Sequence, residues 1–171
     1  LGYLTNKPKE AKKYFQEINA QYLTFRQYAS GLKTNPSVMS GNMYGDVWNT
    51  PAGESYLATM LNDANVNYTY KDTKGTGSLQ LTLEEVIKVN TSTTYWINPG
   101  FPTRNEITNV NPKSKYLKAF ENSEIYCYSH NMNRWWELNA IEPHHVLNDF
   151  IKIFHSKEPL DSLFFYKKVE Q

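Results

Sequence analysis

The sequence has 171 residues and a formal net charge of +1 at pH 7, and 15% of its residues are aromatic. This length suits one domain with a core of its own. The near-neutral charge excludes a global electrostatic attraction to nucleic acid or to an anionic membrane surface. The single cysteine, Cys127, excludes an internal disulfide, and no apolar run is long enough for a membrane span. No signal peptide or lipid-attachment cysteine is visible, so we expect any targeting segment to lie outside this chain.

The first predicted element is a long helix over residues 6–30, because apolar side chains recur there at steps of three and four. Asn6 is a candidate N-cap and Gly31 a candidate stop. A short strand is predicted at 37–40, and a loop rich in glycine and asparagine follows it. Further along, the pattern predicts helices near 56–64, 83–89 and 143–154, and strands within 66–71, 93–98 and 124–129. Residues 100–122 are predicted as loops and short helical pieces, and the tail as a strand or a docked extension.

Strands that alternate with helices predict an α/β fold, with a mostly parallel sheet covered on both faces. In such sheets ligands bind outside the carboxyl ends of the strands. Three loops should lie there, at 42–55, 98–105 and 129–137. These loops carry the candidate ligand-binding residues Tyr44, Trp48, Arg104, His130, Arg134, Trp135 and Trp136, together with Phe101.

The adjacent tryptophans, Trp135 and Trp136, allow two interpretations. In one, the first ring is buried and the second packs at an edge of the core. In the other, the pair and Arg134 form a binding wall, because indoles stack on flat ligands and a guanidinium pairs with anionic groups. The sequence does not favour either interpretation.

Catalytic and metal-binding signatures are lacking. Ser55 in "GES" lacks the spacing of a nucleophile elbow, and we expect it to cap a helix. His144 and His145 are adjacent at a helix start, which favours capping or surface roles over shared metal ligation. We therefore expect neither a resident cofactor nor a metal site, and no enzymatic activity.

The stretch Thr82–Glu85 gives its two glutamates different roles. Thr82 and Glu85 have the spacing of a capping box, in which the side chain three residues after the cap returns to its backbone N–H. Glu84 has no such task. It either points to solvent at a favourable place on the helix dipole or provides a docking charge for a basic partner.

Four stretches carry a resemblance when they are taken in order: the long first helix, "PSVMSGNMYGDVWNTPAGESY", "GSLQLTLEEVIKVNTSTTYWINPG" and "SEIYCYSHNMNRWWELNAIEPHHVLNDFIKIFHSKEP". Together they resemble the C-terminal lobe of the ABC-transporter substrate-binding proteins that carry iron–siderophores, haem or cobalamin. The resemblance spans nearly the whole chain and is greatest to versions from Bacteroidetes-type bacteria. In those versions "W-x-x-P-x-G-x-S" and "D-x-I-K-I-F-H-P" stretches are usual.

The resemblance implies a three-layer lobe at 32–171, preceded by a long interlobe helix at 1–31, with the N-terminal lobe absent from this chain. It implies capture of a ferric siderophore or related iron complex, with haem or cobalamin as other possible ligands, and delivery to an ABC permease. The full-length protein would be an extracytoplasmic lipoprotein that works as a monomer. By position, Glu84 matches the family's permease-docking glutamate, and the ligand candidates match its cleft loops.

One departure concerns the start of the last helix, where His144 replaces an acid of the family pattern "R-P-D-x-V-L", and we expect a surface change. Two other interpretations stay open. A carbohydrate-binding module would use stacked indoles and would not need Arg104 or Arg134. An enzyme of the same α/β class would need a convergent acid/base or metal constellation.

Overall fold

The structure is a computed structural model that describes residues 6–122, 124–128, 135–156 and 163–171. Its helices are α1 (Pro8–Ser30), α2 (Tyr56–Asp63), α3 (Leu83–Val89), α4 (Arg104–Val110), α5 (Lys118–Glu121), α6 (Trp135–Leu138) and α7 (Pro143–His155), with a 3-10 helix at Pro112–Tyr116. Its strands are β1 (Ser37–Ser40), β2 (Asn42–Tyr44), β3 (Val47–Pro51), β4 (Asn67–Tyr68), β5 (Ser78–Leu81), β6 (Tyr95–Ile97), β7 (Ile125–Tyr128) and β8 (Tyr166–Lys168).

The main sheet has five strands in the order β4-β1-β6-β7-β8. The first four are parallel to one another, and β8 pairs antiparallel with β7. The prediction of an α/β fold with a mostly parallel sheet is therefore confirmed.

Helices cover both faces of the main sheet. Neighbouring strand residues alternate between two cores, so Val38 packs with α1, α2 and α7, whereas Met39 packs with α3, α4 and α5. Trp96 and Ile97 on β6 divide between the cores in the same way. This alternation follows from the two-residue period of a strand, and it confirms the three-layer arrangement.

Residues 42–55 form more than the predicted loop. They contain the hairpin of β2 and β3, and β3 also pairs antiparallel with β5, which makes a second sheet of three strands. Gly41 joins β1 to this hairpin at a φ of +105°. A side chain there would collide with the carbonyl oxygen of Asn49, so glycine allows the chain to turn from one sheet into the other.

The helix ends test several sequence predictions. Ser55 caps α2 by accepting a hydrogen bond from the Ala58 amide, and Thr82 and Glu85 form the predicted capping box at α3. Gly31 is the C-cap of α1, as predicted. Asn6 is not the N-cap of α1. Lys7 holds that position without a side-chain cap, and Pro8 starts the helix because its missing N–H needs no partner there.

Candidate ligand-binding edge of the sheet

The four parallel strands end at Ser40, Tyr68, Ile97 and Tyr128, and these ends lie along one side of the main sheet. We call this side the carboxyl edge. Side chains on the connections that leave it are the natural ligand contacts of an open α/β sheet.

Tyr44 lies at the end of β2, on the hairpin that leaves the carboxyl end of β1. Its side chain is 85% exposed, which makes it the most exposed of the large hydrophobic residues that the structure describes. The loop after β6 lies close to this hairpin, because the Asn42 side chain packs against Gly100. The exposed phenol ring of Tyr44 therefore lies on a hairpin that contacts the loop after β6.

Trp48 is fully buried, and this corrects the prediction that it faces a ligand. Its indole packs on Trp96 at a centroid distance of 5.4 Å, and its Nε1–H donates to the Ser40 carbonyl at 3.2 Å. The Nε1–H of Trp96 donates to the Gly41 carbonyl at 2.8 Å. The two indoles thus fix the backbone at the end of β1 through hydrogen bonds to Ser40 and Gly41, and Trp48 has a structural role at the carboxyl edge.

Trp135 and Trp136 have different environments. Trp135 is 7% exposed, and its ring stacks on Tyr128 with edge contacts to Phe165 and Tyr166. Trp136 is 66% exposed and meets Tyr128 edge-on at 5.8 Å. The two residues lie on α6, where successive side chains diverge by about 100° around the axis. The structure therefore removes Trp135 from the candidate contacts and keeps Trp136.

Two candidate contacts, His130 and Arg134, lie outside the described residues. The chain enters their segment from Tyr128 and leaves it at Trp135. The rings of these two flanking residues are stacked 4.5 Å apart at the carboxyl edge.

Arg104 lies near the amino-terminal end of β7, away from the carboxyl edge, which corrects the prediction of a ligand contact. Its backbone N–H donates to the carbonyl of Glu170. The preceding residue, Val169, donates its N–H to the carbonyl of Ile125, the first residue of β7. Its guanidinium donates to the Phe120 carbonyl at 2.7 Å and lies 4.0 Å above the Phe120 ring. These contacts give Arg104 a role in joining α4 to α5.

Glu84 lies in the first turn of α3 and forms an ion pair with Lys113 on the 3-10 helix. The Nζ–Oε1 distance is 2.8 Å, and both side chains are more than half exposed. The hydrogen bond from Lys113, assisted by a backbone hydrogen bond in the same turn, lowers the pKa of Glu84 below its usual value. The carboxylate is therefore ionised near neutral pH, but it has an internal partner as well as solvent.

The predicted surface position of His144 is wrong. His144 is buried in the first turn of α7, and its Nδ1 has no hydrogen-bond partner among the described residues. His145 packs against the His144 ring at 4.0 Å and stacks on Phe164 at 4.0 Å. The departure from the family pattern is therefore an interior change at the start of the helix.

Two residues that contact the candidate residues were missed in the sequence. Tyr128 supports both tryptophans, and its place as the last residue of a strand before an aromatic pair was a usable signal. Lys113 reaches Glu84 from 29 residues away, and no local pattern indicates such a pair. Within the described part of the chain, no cluster of histidine, cysteine and acidic side chains could hold a metal ion. None of the described helices has the length and apolarity that a membrane crossing requires.

Comparisons with known proteins agree with this fold. No protein-family model matches the chain. An uncharacterized lipoprotein of Methanocaldococcus jannaschii is 27% identical over 154 residues, which cover 88% of this chain and 36% of that protein. The chain therefore spans about a third of the curated relative that it matches.

Solved structures of periplasmic binding proteins superpose on most of the chain. A possible iron-binding, periplasmic solute-binding protein of Staphylococcus epidermidis has a TM-score of 0.68 at 17% identity, over 91% of this chain and 58% of its own. The TroA-like periplasmic binding protein FepB of Veillonella parvula has a TM-score of 0.68 at 13% identity, over 99% and 59%. IsdE of S. aureus, solved with haem, has a TM-score of 0.66 at 16% identity, over 91% and 61%. The chain has the fold of a lobe of TroA-like binding proteins.

Proposed function

We propose that this chain is the C-terminal lobe of a solute-binding protein of an ABC importer, with residues 1–31 as the interlobe helix and 32–171 as the lobe. It captures a ferric siderophore or a related iron complex, with haem and cobalamin as further candidates in the same ligand class. The full-length protein acts outside the cytoplasm as a membrane-anchored monomer. The name of the Methanocaldococcus relative supports the anchor, and the titles of the solved structures support the location and the ligand class.

The observation that carries this proposal is the exposed indole of Trp136, held against Tyr128 at the carboxyl end of β7. Tyr44 provides a second exposed ring beside the end of β1, with β6 between the two strands. Flat rings at this edge suit the aromatic and conjugated surfaces of iron chelates, haem and corrins. Arg134 and His130 stay predicted contacts for the anionic groups of such ligands.

Glu84 is the proposed permease-docking residue of this lobe. Its carboxylate is ionised and exposed on α3, and it lies at the position that matches the docking glutamate of the family. The permease subunits are the proposed partners, and their arginines would pair with Glu84.

The carbohydrate-binding alternative is not favoured. The matching solved structures are solute-binding proteins, and two of the three candidate tryptophans, Trp48 and Trp135, are buried and unavailable to a glycan. An enzymatic role that depends on a metal lacks support, because the described residues bring together no cluster of histidine, cysteine and acidic side chains that could hold one.

Calorimetric titration of the full two-lobed protein tests the proposal. Each ferric siderophore, haem and cobalamin is titrated into the wild type and into the Trp136→Ala variant. We expect one ligand to bind, with affinity lowered roughly ten-fold or more in the variant, because removing an exposed aromatic anchor removes its stacking surface. The Tyr28→Ala variant is the matched control, since Tyr28 is 62% exposed on α1. Equal affinities in all three proteins would overturn the proposed site.

A further inference from the structure

The ion pair between Glu84 and Lys113 divides the tasks of the two glutamates in the first turn of α3. Glu85 is used within the helix, where its carboxylate accepts from the backbone N–H of Thr82 at 2.7 Å and from the Thr82 hydroxyl at 2.9 Å. Glu84 takes no part in that cap. Its Oε1 accepts from Lys113 Nζ at 2.8 Å, and the side chains are 69% and 62% exposed. Both carboxylates are exposed, and Glu84 is therefore the one in this turn that is not engaged in the helix cap.

Lys113 changes what a cationic partner meets at this position. It places a positive charge directly on the carboxylate, so an approaching arginine must displace the ammonium group or share the carboxylate with it. Both routes weaken the new contact, because two like charges around one carboxylate repel each other. Exposed ion pairs are weak and readily exchanged, so the internal pair reduces docking without preventing it.

From this geometry we infer that Lys113 is an internal competitor for the docking carboxylate, and that it keeps the affinity of the lobe for the permease low. This inference rests on the proposed function, in which Glu84 pairs with permease arginines. A carrier must leave the permease after delivery, and an ammonium group that recaptures Glu84 favours release. Lys113 is thus a tuning residue, because it acts on the permease through Glu84.

Replacing Lys113 with methionine tests the inference while preserving most of the apolar stem. The full-length protein is titrated against its permease–ATPase complex in nanodiscs, at low ionic strength and again in 0.5 M salt. Lys113→Met should bind about two- to five-fold more tightly at low ionic strength, the range that one exposed ion pair accounts for. High salt should reduce the difference, because it screens exposed charges.

The matched control is Lys115→Met, which removes the same charge two residues away on the same 3-10 helix. Lys115 lies over the Tyr116 ring instead of at Glu84. This variant should bind as the wild type does. In a Glu84→Gln background the effect of Lys113→Met should vanish, because a double-mutant cycle isolates the coupling between the two side chains.

The outcomes separate the two proposals. If Glu84→Gln weakens docking but Lys113→Met leaves it unchanged or weaker, the competitor inference is wrong and the docking role of Glu84 stands. If Lys113→Met and Lys115→Met strengthen docking equally, the effect is one of net charge and the inference also fails. If Glu84→Gln has no effect, or no permease complex binds, the docking proposal is overturned together with the inference.

Discussion

The ring of Trp135 lies flat on the ring of Tyr128, with centroids 4.5 Å apart and planes 7° from parallel. Tyr128 ends β7, so the stack fixes α6 to the main sheet at its carboxyl edge. Phe165 and Tyr166 add edge contacts to the same indole. The burial of Trp135 is what leaves Trp136, one residue further along the helix, at the surface.

The two tryptophans should therefore respond oppositely to truncation. Trp135→Ala removes a buried ring that three aromatic residues contact, and we expect a loss of about 3–5 kcal/mol in the free energy of unfolding. Trp136→Ala should cost about 1 kcal/mol or less, because the ring is 66% exposed and buries little apolar surface. Urea unfolding followed by circular dichroism measures both. Similar losses in the two variants would contradict the assignment of separate roles.

Asp149 should be essential to the position of β8. Its buried carboxylate accepts the backbone amides of Phe164, Phe165 and Tyr166 at 2.8, 2.7 and 3.1 Å. Asp149→Ala leaves three amides without this partner, so we expect at least about 3 kcal/mol of destabilisation.

Asp149→Asn separates hydrogen bonding from burial, because it keeps one carbonyl oxygen as an acceptor. Asp149→Asn should lose clearly less free energy of unfolding than Asp149→Ala. Amide exchange at Phe165 and Tyr166 reports the same contact locally, and unchanged protection in Asp149→Ala would disprove the role.

Arg104 should affect stability and leave ligand affinity unchanged. Arg104→Met removes the hydrogen bond to the Phe120 carbonyl and the cation placed over its ring. The expected cost is about 1–2 kcal/mol in the free energy of unfolding. Ligand titration of the full-length variant should match the wild type. A large loss of affinity in a folded variant would return Arg104 to the ligand site.

His144 should make the lobe less stable in mild acid. Burial lowers its pKa below the ordinary value of 6.5, and His145 adds to this effect while Glu142 opposes it. The unfolded chain therefore binds a proton more readily than the folded chain in the window below pH 6.5. The contribution of neutral His144 to the free energy of unfolding is therefore present above pH 6.5 and is lost as the pH falls below it.

Chemical denaturation at pH 7.5, 6.5 and 5.5 measures this dependence. His144→Gln should have a flatter profile than the wild type, because it removes the titrating group. His155→Gln provides a comparison at a histidine whose ring nitrogens both have partners, Thr34 and the Ala64 carbonyl. An unchanged slope in His144→Gln would contradict the account.

The periodic features of the sequence predicted the sheet and its flanking helices well. The capping box at α3 has a local cause, namely a fixed spacing of three residues between Thr82 and Glu85. The hairpin of β2 and β3 was missed because its segment is short and rich in turn residues. Its pairing with β5 joins residues about thirty positions apart, which no local pattern reveals.

The candidate site was less predictable, because exposure depends on tertiary packing. Trp48 and Tyr44 are on the same predicted loop, yet Trp48 enters the core through its contact with Trp96. Arg104 follows a strand in sequence, but its chain runs back along the sheet before α4 begins. The sequence limited the candidates to three loops, and the structure shows that Tyr44 and Trp136 are exposed there whereas Trp48 and Trp135 are buried.

Tryptophan fluorescence of the full two-lobed protein tests the central claim most directly. Ferric siderophores, haem and cobalamin are titrated in turn, with sugars as controls. The account predicts saturable quenching by one metal chelate or corrin, with a dissociation constant that rises in Trp136→Ala. If a glycan binds and no iron complex, haem or cobalamin does, import of this ligand class is the wrong function. The exposed rings would then form a carbohydrate-binding surface.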